Sequence, residues 1–486
     1  MSTTWRAGHL PGVPVDAVRW HALPFAAHGR SVRIEVPVLD PARMQALARS
    51  VRAAAREQLQ PMSVDAIIDV LDAAVARLLD PADPHRKTLD ELLPVVTGFD
   101  AEMVRLGLTA SLHAFRAPQL RRFVAQDFAN PKVLDGFQPA VTGGAVRAFG
   151  PALLAHVWAG NVPGLPLWSL AAGLLVKAGN VGKLPSAEPV FASVVARLLA
   201  EIHPPLADCL AVAWWRGGGD DAIETALFRE AETVLAYGGN AALHDLRSRV
   251  PASTRFLGYG HKLGAALVAR AALNRLQGPA NARRLAMDLA RHEQQGCYAP
   301  HVVYVERGAE VTPRAFAVHL AAELANLQQR HPARALSLEE AAALAGWREA
   351  AAWNETLELF GEPGGGWAVV LGDTPLALAP TPGQRCVVVS AVDALEQVPA
   401  LLAPHAQVLQ TVGLACTPEA LYPLAAQLGL AGVTRIAPVG AMTQPEAGWH
   451  HDGRFNLLDL VRMVDIDAAT ERAADQLASY AQEAPR

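Results

Sequence analysis

The chain has 486 residues, 51% hydrophobic and 18% charged, with a formal net charge of −5. That balance belongs to a packed globular protein; it excludes an extended disordered chain and gives no basis for a nucleic-acid surface. The length exceeds what one ordinary core fills, so two or three domains are expected.

The first residues, Met1-Ser2-Thr3-Thr4-Trp5-Arg6, lack the apolar core of a signal peptide. Val32 to Leu39 alternates as a strand does. From Pro41 to about Ala125 apolar residues recur at helical spacing, as in Met44, Leu47, Val51 and Ile67, Val70, Leu71, Val75. A helical N-terminal layer without chemistry of its own is expected there. Basic pairs such as Arg121-Arg122 and Arg283-Arg284 read as solvated helix faces.

From about Val146 strand-like runs alternate with helical ones. The order is Leu153–Trp158, a helix from Leu165, a short strand near Val181, a helix from Pro189 and Leu210–Trp215. Thr233–Ala236, a helix from Asn240 and Arg255–Leu257 follow. This alternation predicts an α/β fold with a parallel sheet, which binds nucleotides at the carboxyl ends of its strands. Leu165 to Val176 is the most apolar window; it is too short to cross a bilayer and ends at Lys177. No membrane span and a cytoplasmic location are therefore expected. A second α/β stretch follows Gly278, with strands at His301–Val305, Ala368–Leu371, Arg385–Ser390, Val408–Val412 and Val433–Ile436. The domain boundary is expected between about Tyr259 and Leu276.

Four cysteines in this length make no disulfide framework, and no Cys-x-x-Cys pair points to zinc. Cys209, Cys386 and Cys416 sit in apolar surroundings and read as small buried hydrophobes. Cys297 differs. It ends the polar run His292-Glu293-Gln294-Gln295-Gly296 and precedes Tyr298-Ala299-Pro300. A Gly-flanked loop can expose a thiolate nucleophile and offer its own N–H as a donor.

Four further constellations each follow a strand. Asn161, in Ala159-Gly160-Asn161-Val162-Pro163, either donates to a developing oxyanion or caps a helix. Lys183, in Gly179-Asn180-Val181-Gly182-Lys183, either holds ribose or phosphate oxygens or is a surface lysine. Tyr237-Gly238-Gly239-Asn240 lets backbone amides approach a pyrophosphate at a helix N-terminus. Gly258-Tyr259-Gly260-His261-Lys262 is the last; its histidine reads first as structural.

In order and spacing these features resemble the aldehyde dehydrogenase superfamily, and within it the acyl-CoA reductase branch of the bacterial bioluminescence type. The stretches that carry the resemblance are His156–Pro163, Gln294–Pro300, Arg435–Gly440, Trp449-His450-His451-Asp452-Gly453-Arg454 and Asp459–Arg462. It runs from about Gly144 to Asp465 and is faint over the N-terminal region. The resemblance implies a Rossmann-type cofactor domain over 144–262, with the helical region 1–143 contributing to it. It further implies a catalytic domain over 263–440 and an extension over 441–486 used in oligomer contacts. Residue by residue, Cys297 matches the nucleophile, Asn161 the oxyanion-hole side chain, Lys183 the ribose-binding lysine, and Gly239 with Asn240 the phosphate-side turn. Gly238, Gly258 and Gly260 fall on the same cofactor-side loops.

Two departures bear on chemistry. Aligning Lys262 with the lysine of the family's Glu-Leu-Gly-Gly-Lys-like strand end puts Gly258 where hydrolytic members carry the glutamate that activates water. An acyl-cysteine without that base would persist for reduction. Three positions after Lys183, where NAD-preferring relatives carry a glutamate, stands Ser186, which tolerates a 2′-phosphate; the expected cofactor is NADPH. The implied activity is reduction of an acyl thioester, from acyl-CoA or from a partner ligase of the acyl-protein synthetase kind, to an aldehyde by a homo-oligomer. The rival readings are an NAD(P)-dependent aldehyde oxidation and, more distantly, a non-redox acyl transferase or scaffold. What lowers the Cys297 pKa is left open, with His292 and His261 as the nearby bases.

Overall fold

A computed structural model describes residues 3–218, 221–362 and 364–478. The chain opens on strands: β1 (Thr3–Arg6), β2 (Arg19–Ala27) and β3 (Arg30–Val38) form a small sheet in the order β1-β3-β2. Only the third is legible in the sequence. The second is an edge strand with Pro24 in it and mostly solvated side chains, so its alternation is blurred. His28 and Gly29, with φ of 51° and 69°, make the tight turn that joins β2 to β3.

Five helices follow as the 3.6-residue pattern requires: α1 (Pro41–Ala54), α2 (Val64–Leu79), α3 (Pro84–Thr97), α4 (Ala101–His113) and α5 (Ala117–Asp127). Asp40, Ser63, Asp83 and Asp100 cap the first four by accepting backbone N–H bonds. Leu71, Leu93 and Phe123 from this layer share a core with Leu154, Leu170 and Phe191 of the sheet region that follows.

After β4 (Gln138–Pro139) and β5 (Ala145–Phe149) comes the first large sheet. Its elements are β6 (Leu153–Val157), α6 (Leu165–Leu175), β7 (Gly179–Lys183), α7 (Phe191–Ile202), α8 (Pro204–Ala207) and β8 (Leu210–Ala213). Next are α9 (Asp221–Glu230), β9 (Thr233–Tyr237), α10 (Asn240–Arg249) and β10 (Arg255–Tyr259). All five strands run parallel in the order β10-β9-β6-β7-β8. Leu153 to Val157 are all buried, as expected of strands covered on both faces.

The chain crosses to the second sheet over residues 260–262. That sheet holds β11 (Leu263–Val268), β12 (Pro300–Glu306), β13 (Leu357–Phe360), β14 (Ala368–Gly372), β15 (Cys386–Val392), β16 (Leu409–Ala415) and β17 (Arg435–Pro438). Its order is β13-β14-β15-β12-β11-β16-β17, parallel except for β13. Helices α11 (Gln277–Ala290), α12 (Pro313–Arg330), α13 (Leu338–Ala352), α14 (Val398–Leu402) and α15 (Pro418–Leu430) connect these strands. Sequence periodicity misses β11, which lies within the stretch read as a boundary yet sits between β12 and β16. Finally β18 (Arg462–Ile466) returns to pair with β5, beside β4, and α16 (Ala468–Gln476) follows.

The carboxyl ends of β6, β9 and β10 and the amino ends of β11, β12 and β15 supply the walls of one cavity. In the first sheet this follows from parallel topology, which brings the loops after β6, β9 and β10 to one edge.

Candidate active site

The cavity has a volume of about 620 Å³. Cys297, Asn161, Gly238, Gly239 and Gly260 all line it. Ala110, Phe123, Leu165, Trp168 and Ala172 give the same cavity an apolar wall. Phe115 braces Trp168 edge-on, with ring centroids 4.6 Å apart.

The Cys297 loop is held in an unusual backbone. His292, Glu293 and Gln294 have φ of 53°, 51° and 61°. Left-handed backbone costs a non-glycine residue roughly 1–2 kcal/mol, so three in a row need strong external ties. Arg385, itself left-handed at φ of 59°, and Cys386 supply them. Glu293 and Arg385 form a buried two-pronged ion pair, Nη2 to Oε1 at 2.6 Å and Nε to Oε2 at 3.1 Å. Gln294 donates to the Pro300 and Cys386 carbonyls, both at 2.8 Å, and accepts from the Cys386 N–H at 2.9 Å. Gly296 is required for space: a Cβ there would lie 2.3 Å from the Tyr298 ring.

Asn161 completes the loop's support from the first sheet. Its Nδ2 donates to the Gln295 carbonyl at 2.8 Å, while its Oδ1 is buried without a partner. The second Nδ2 hydrogen is the one an oxyanion would need. Gly160, before it, packs against the next strand's loop, where a Cβ would lie 2.9 Å from that of Ala187.

The Cys297 sulfur accepts a hydrogen bond from Gln410 Nε2 at 3.2 Å. Burial pushes the thiol up to about 11, opposed by the Gln410 donor and the Arg435 guanidinium and reinforced by the Asp452 carboxylate. Neither histidine considered from sequence lowers it. The His292 ring lies against Gly107 of α4, where burial drops its pKa to about 4, and His261 lines the cavity without being among the groups that act on the thiol. Gln410, Asp452 and Arg435 are the residues that sequence reading missed as neighbours of the sulfur. Arg435 and Asp452 lay in quoted motifs without a role; Gln410, inside an apolar strand, gave no signal.

On the cofactor side, Gly239 precedes α10, whose N-terminus has no side-chain cap. A Cβ on Gly239 would meet nothing within 4 Å, so the helix N-terminus opens onto free space. Asn240 turns instead to the neighbouring loop, accepting from the His261 N–H at 3.3 Å. Lys183 lies outside this cavity wall: its ammonium pairs with Glu224 Oε1 at 3.3 Å, and Glu224 also accepts from Trp215 and Arg249. Ser186 accepts from Trp214 Nε1 at 3.0 Å.

Gly258 requires a correction. It does not line the cavity, and a Cβ there would point at Phe256 and Leu243. The residue of β10 that faces the cavity is Tyr259, stacked against both Tyr237 and His451 with centroids 5.0 and 4.4 Å away. The strand end still offers no carboxylate, but because of Tyr259. The two carboxylates on the cavity wall, Glu293 and Glu340, are both tied to arginines, Arg385 and Arg334. Of the other cysteines, Cys209 and Cys386 are buried as expected, whereas Cys416 is half-buried. No cluster able to hold a metal ion occurs among the described residues.

The model of the acyl-CoA reductase (LuxC) family matches residues 59–463. The chain belongs to that family. It is similar to the long-chain acyl-protein thioester reductase of Photorhabdus luminescens, 23% identical over 416 residues covering 85% of this chain and 84% of the relative. The enzyme of the same name from Vibrio harveyi is 24% identical over 326 residues, 66% and 65% of the two chains. The fold matches aldehyde dehydrogenase 21 of Physcomitrella patens, with a TM-score of 0.73 at 13% identity over 96% of this chain and 98% of that one. An oxidoreductase of Marinobacter aquaeolei matches with a TM-score of 0.74 at 14% identity over 95% and 98%. The chain is thus an oxidoreductase with an aldehyde-dehydrogenase-like α/β fold, and it reduces an acyl thioester to an aldehyde.

Proposed function

We propose that the chain reduces a long-chain acyl thioester with NADPH through a covalent acyl-Cys297 intermediate. The observation that carries this reading is the convergence, in one cavity, of the Cys297 sulfur, the uncapped α10 N-terminus and an apolar wall. An alkyl chain packed against Ala110, Phe123, Trp168 and Ala172 shares the cavity with the sulfur. Each methylene buried there contributes about 0.8 kcal/mol. Cys297 attacks the carbonyl, and the free Asn161 N–H and the Cys297 N–H receive the oxyanion. The donor thiol leaves. With no untied carboxylate on the cavity wall, water is poorly activated and the thioester persists.

The uncapped α10 N-terminus and the open space at Gly238 and Gly239 fit a pyrophosphate. Lys183, Ser186 and Asn240 flank the nucleoside side, and Ser186 leaves a 2′-phosphate unopposed. When bound, the nicotinamide supplies the hydride that reduces the thioester. Asn161 then holds the resulting oxyanion until the C–S bond breaks, releasing aldehyde and Cys297.

The acyl donor is acyl-CoA or an acyl group carried by a partner synthetase. The enzyme works in the cytoplasm, and no helix among the described residues is long and apolar enough to cross a membrane. Copies associate through the β18-β5-β4 sheet, which leaves Met463 and the adjoining Val141 exposed.

The test is intact-mass detection of acyl-Cys297 after mixing with acyl-CoA, followed by aldehyde formation on adding NADPH. Cys297→Ala abolishes both; retained turnover overturns the assignment. Free acid formed from aldehyde and NAD(P) without CoA would favour the oxidising direction, and failure to bind either nucleotide would favour a non-redox transferase.

A further inference from the structure

The half-buried Cys297 thiol needs help to ionise, and the helper is visible in the hydrogen bonds around Gln410. This side chain is fully buried at the start of β16. Both ends of its amide are fixed. Thr411 Oγ1 donates to its Oε1 at 3.2 Å, and its Nε2 donates to Asp452 Oδ1 at 2.7 Å and to the Cys297 sulfur at 3.2 Å. If the amide were reversed, its oxygen would face a carboxylate, so the N–H is held toward the sulfur. Asp452 is itself at φ of 53°, in the turn between His450 and Arg454, a conformation that asparagine and aspartate tolerate best.

We propose that Gln410 is a catalytic residue that hydrogen-bonds the Cys297 sulfur as it ionises, and that Asp452 is a positioning residue that aligns the Gln410 amide. The proposal rests on Cys297 being the acylated nucleophile. The thiol proton leaves to solvent and the sulfur lone pair forms the bond to the acyl carbon. The donor's C–S bond breaks, and the departing thiolate takes a proton from solvent. Gln410 acts on the first event: its N–H is a donor to the ionised sulfur, and such charge-assisted bonds are roughly twice as strong as neutral ones. The charged and titratable groups that face the sulfur are Asp452 and Arg435, with Tyr237 and Tyr298 beside them. Asp452 by its charge alone opposes ionisation. Its contribution is therefore geometric, and it also ties the 449–454 turn of the C-terminal region to the nucleophile.

The experiment is the pH dependence of iodoacetamide alkylation of Cys297 in the full-length protein, read on the Cys297 peptide by mass spectrometry. It is paired with the rate of acyl-Cys297 formation from acyl-CoA at pH 8. Gln410→Met is expected to raise the alkylation midpoint by about one pH unit and slow acylation about ten-fold, the scale of one hydrogen bond to an ionised acceptor. Gln410→Asn, which withdraws the same amide by one methylene, shifts both in the same direction by less and covers the case in which the methionine variant melts early. Asp452→Ala is measured with and without Gln410→Met. The direct field of Asp452 on the sulfur is present in both backgrounds and cancels, so the coupling reads amide alignment alone. A ratio of the two Asp452→Ala effects of about three-fold or more supports positioning; a ratio of one overturns it. Wild-type midpoint and acylation rate in a well-folded Gln410→Met protein overturn the catalytic role. Absence of any acyl adduct in the unsubstituted protein would instead remove the covalent reading on which this rests.

Discussion

Two loops meet in the cavity, and they are built on opposite principles. The turn at Gly238–Asn240 is relaxed: Gly239 has φ of −66° and ψ of 156°, α10 lacks a side-chain cap, and a Cβ on Gly239 would touch nothing within 4 Å. The Cys297 loop is strained, with three consecutive left-handed non-glycine residues locked by a buried ion pair. The difference follows from what each must do. A phosphate bound by backbone N–H groups is exchanged every turnover and needs open, unsatisfied donors. A covalent nucleophile must return to one position within a fraction of an ångström, and over-determined strain achieves that.

The strongest way to break the contrast is to cut the clamp. Removing one partner of a buried ion pair typically costs about 3–5 kcal/mol, since the other charge is stranded. Arg385→Met is expected to destabilise by that amount in chemical denaturation; its guanidinium also serves the His331 carbonyl at 2.8 Å, which adds to the loss. The double variant Glu293→Leu/Arg385→Met should recover much of the stability. It should still acylate Cys297 slowly, because the left-handed run can then relax. Normal acylation in the double variant would show that the strain has no catalytic purpose.

The next largest effect tests the tie from Asn161, after β6, to the strained loop. Asn161→Ala removes the tie to the Gln295 carbonyl and the oxyanion donor together. Loss of one oxyanion donor costs about 10²–10³ in rate, so kcat should fall by that factor while NADPH affinity, measured by calorimetry, stays unchanged. A parallel loss of affinity would mean that Asn161 supports the cofactor side instead.

How much of this could be read from the chain alone follows the same divide. The alternating strands, the Gly238–Gly239 turn and the Gly-Cys loop are local patterns, and their physics is local. The helical layer was equally legible because α1 to α5 bury one stripe each, while β2 hid behind edge-strand exposure and β11 behind a stretch that read as linker. The clamp depends on Arg385 meeting Glu293 from 92 residues away, and Gln410 reaches Cys297 across 113. No periodicity encodes either. Gly258 failed for a subtler reason: motif alignment gave its place along β10 but not the face of the strand, and a period of two puts neighbours on opposite faces.

A third prediction contrasts two buried carboxylates. Glu293 has an arginine; among the described residues Glu188 accepts from the N–H groups of Val190 and Phe191 alone, at 2.7 and 2.9 Å, at the start of α7. Burial pushes the Glu188 carboxyl from 4.5 up to about 7, outweighing those two donors. The folded state then holds this proton more tightly than the unfolded state, so this group's contribution to stability is fully present below pH 4.5 and is lost as pH rises through about 7. At about 1.4 kcal/mol per pH unit the full loss is about 3 kcal/mol. Glu188→Gln, which mimics the protonated acid, should remove that part of the pH dependence and be the more stable protein at pH 8. An unchanged pH profile of the thermal midpoint would show that the carboxylate is stabilised by more than its two N–H donors.

The smallest effect sharpens the relaxed side. Ser186 is exposed and its only described hydrogen bond is from Trp214 at 3.0 Å, so substituting it should change stability by no more than about 0.5 kcal/mol. Ser186→Glu places a carboxylate where the proposal puts the 2′-phosphate. Two like charges a few ångströms apart at a solvated surface interact by about 1–4 kcal/mol, and screening keeps the effect near the lower limit. The kcat/KM for NADPH should therefore fall about ten-fold while that for NADH changes little, measured with one acyl-CoA at fixed ionic strength. The loss should shrink as salt is added, whereas damage at the strained loop would not. Equal losses for both cofactors would place the adenosine ribose elsewhere, and the Lys183–Glu224 pair would then be structural.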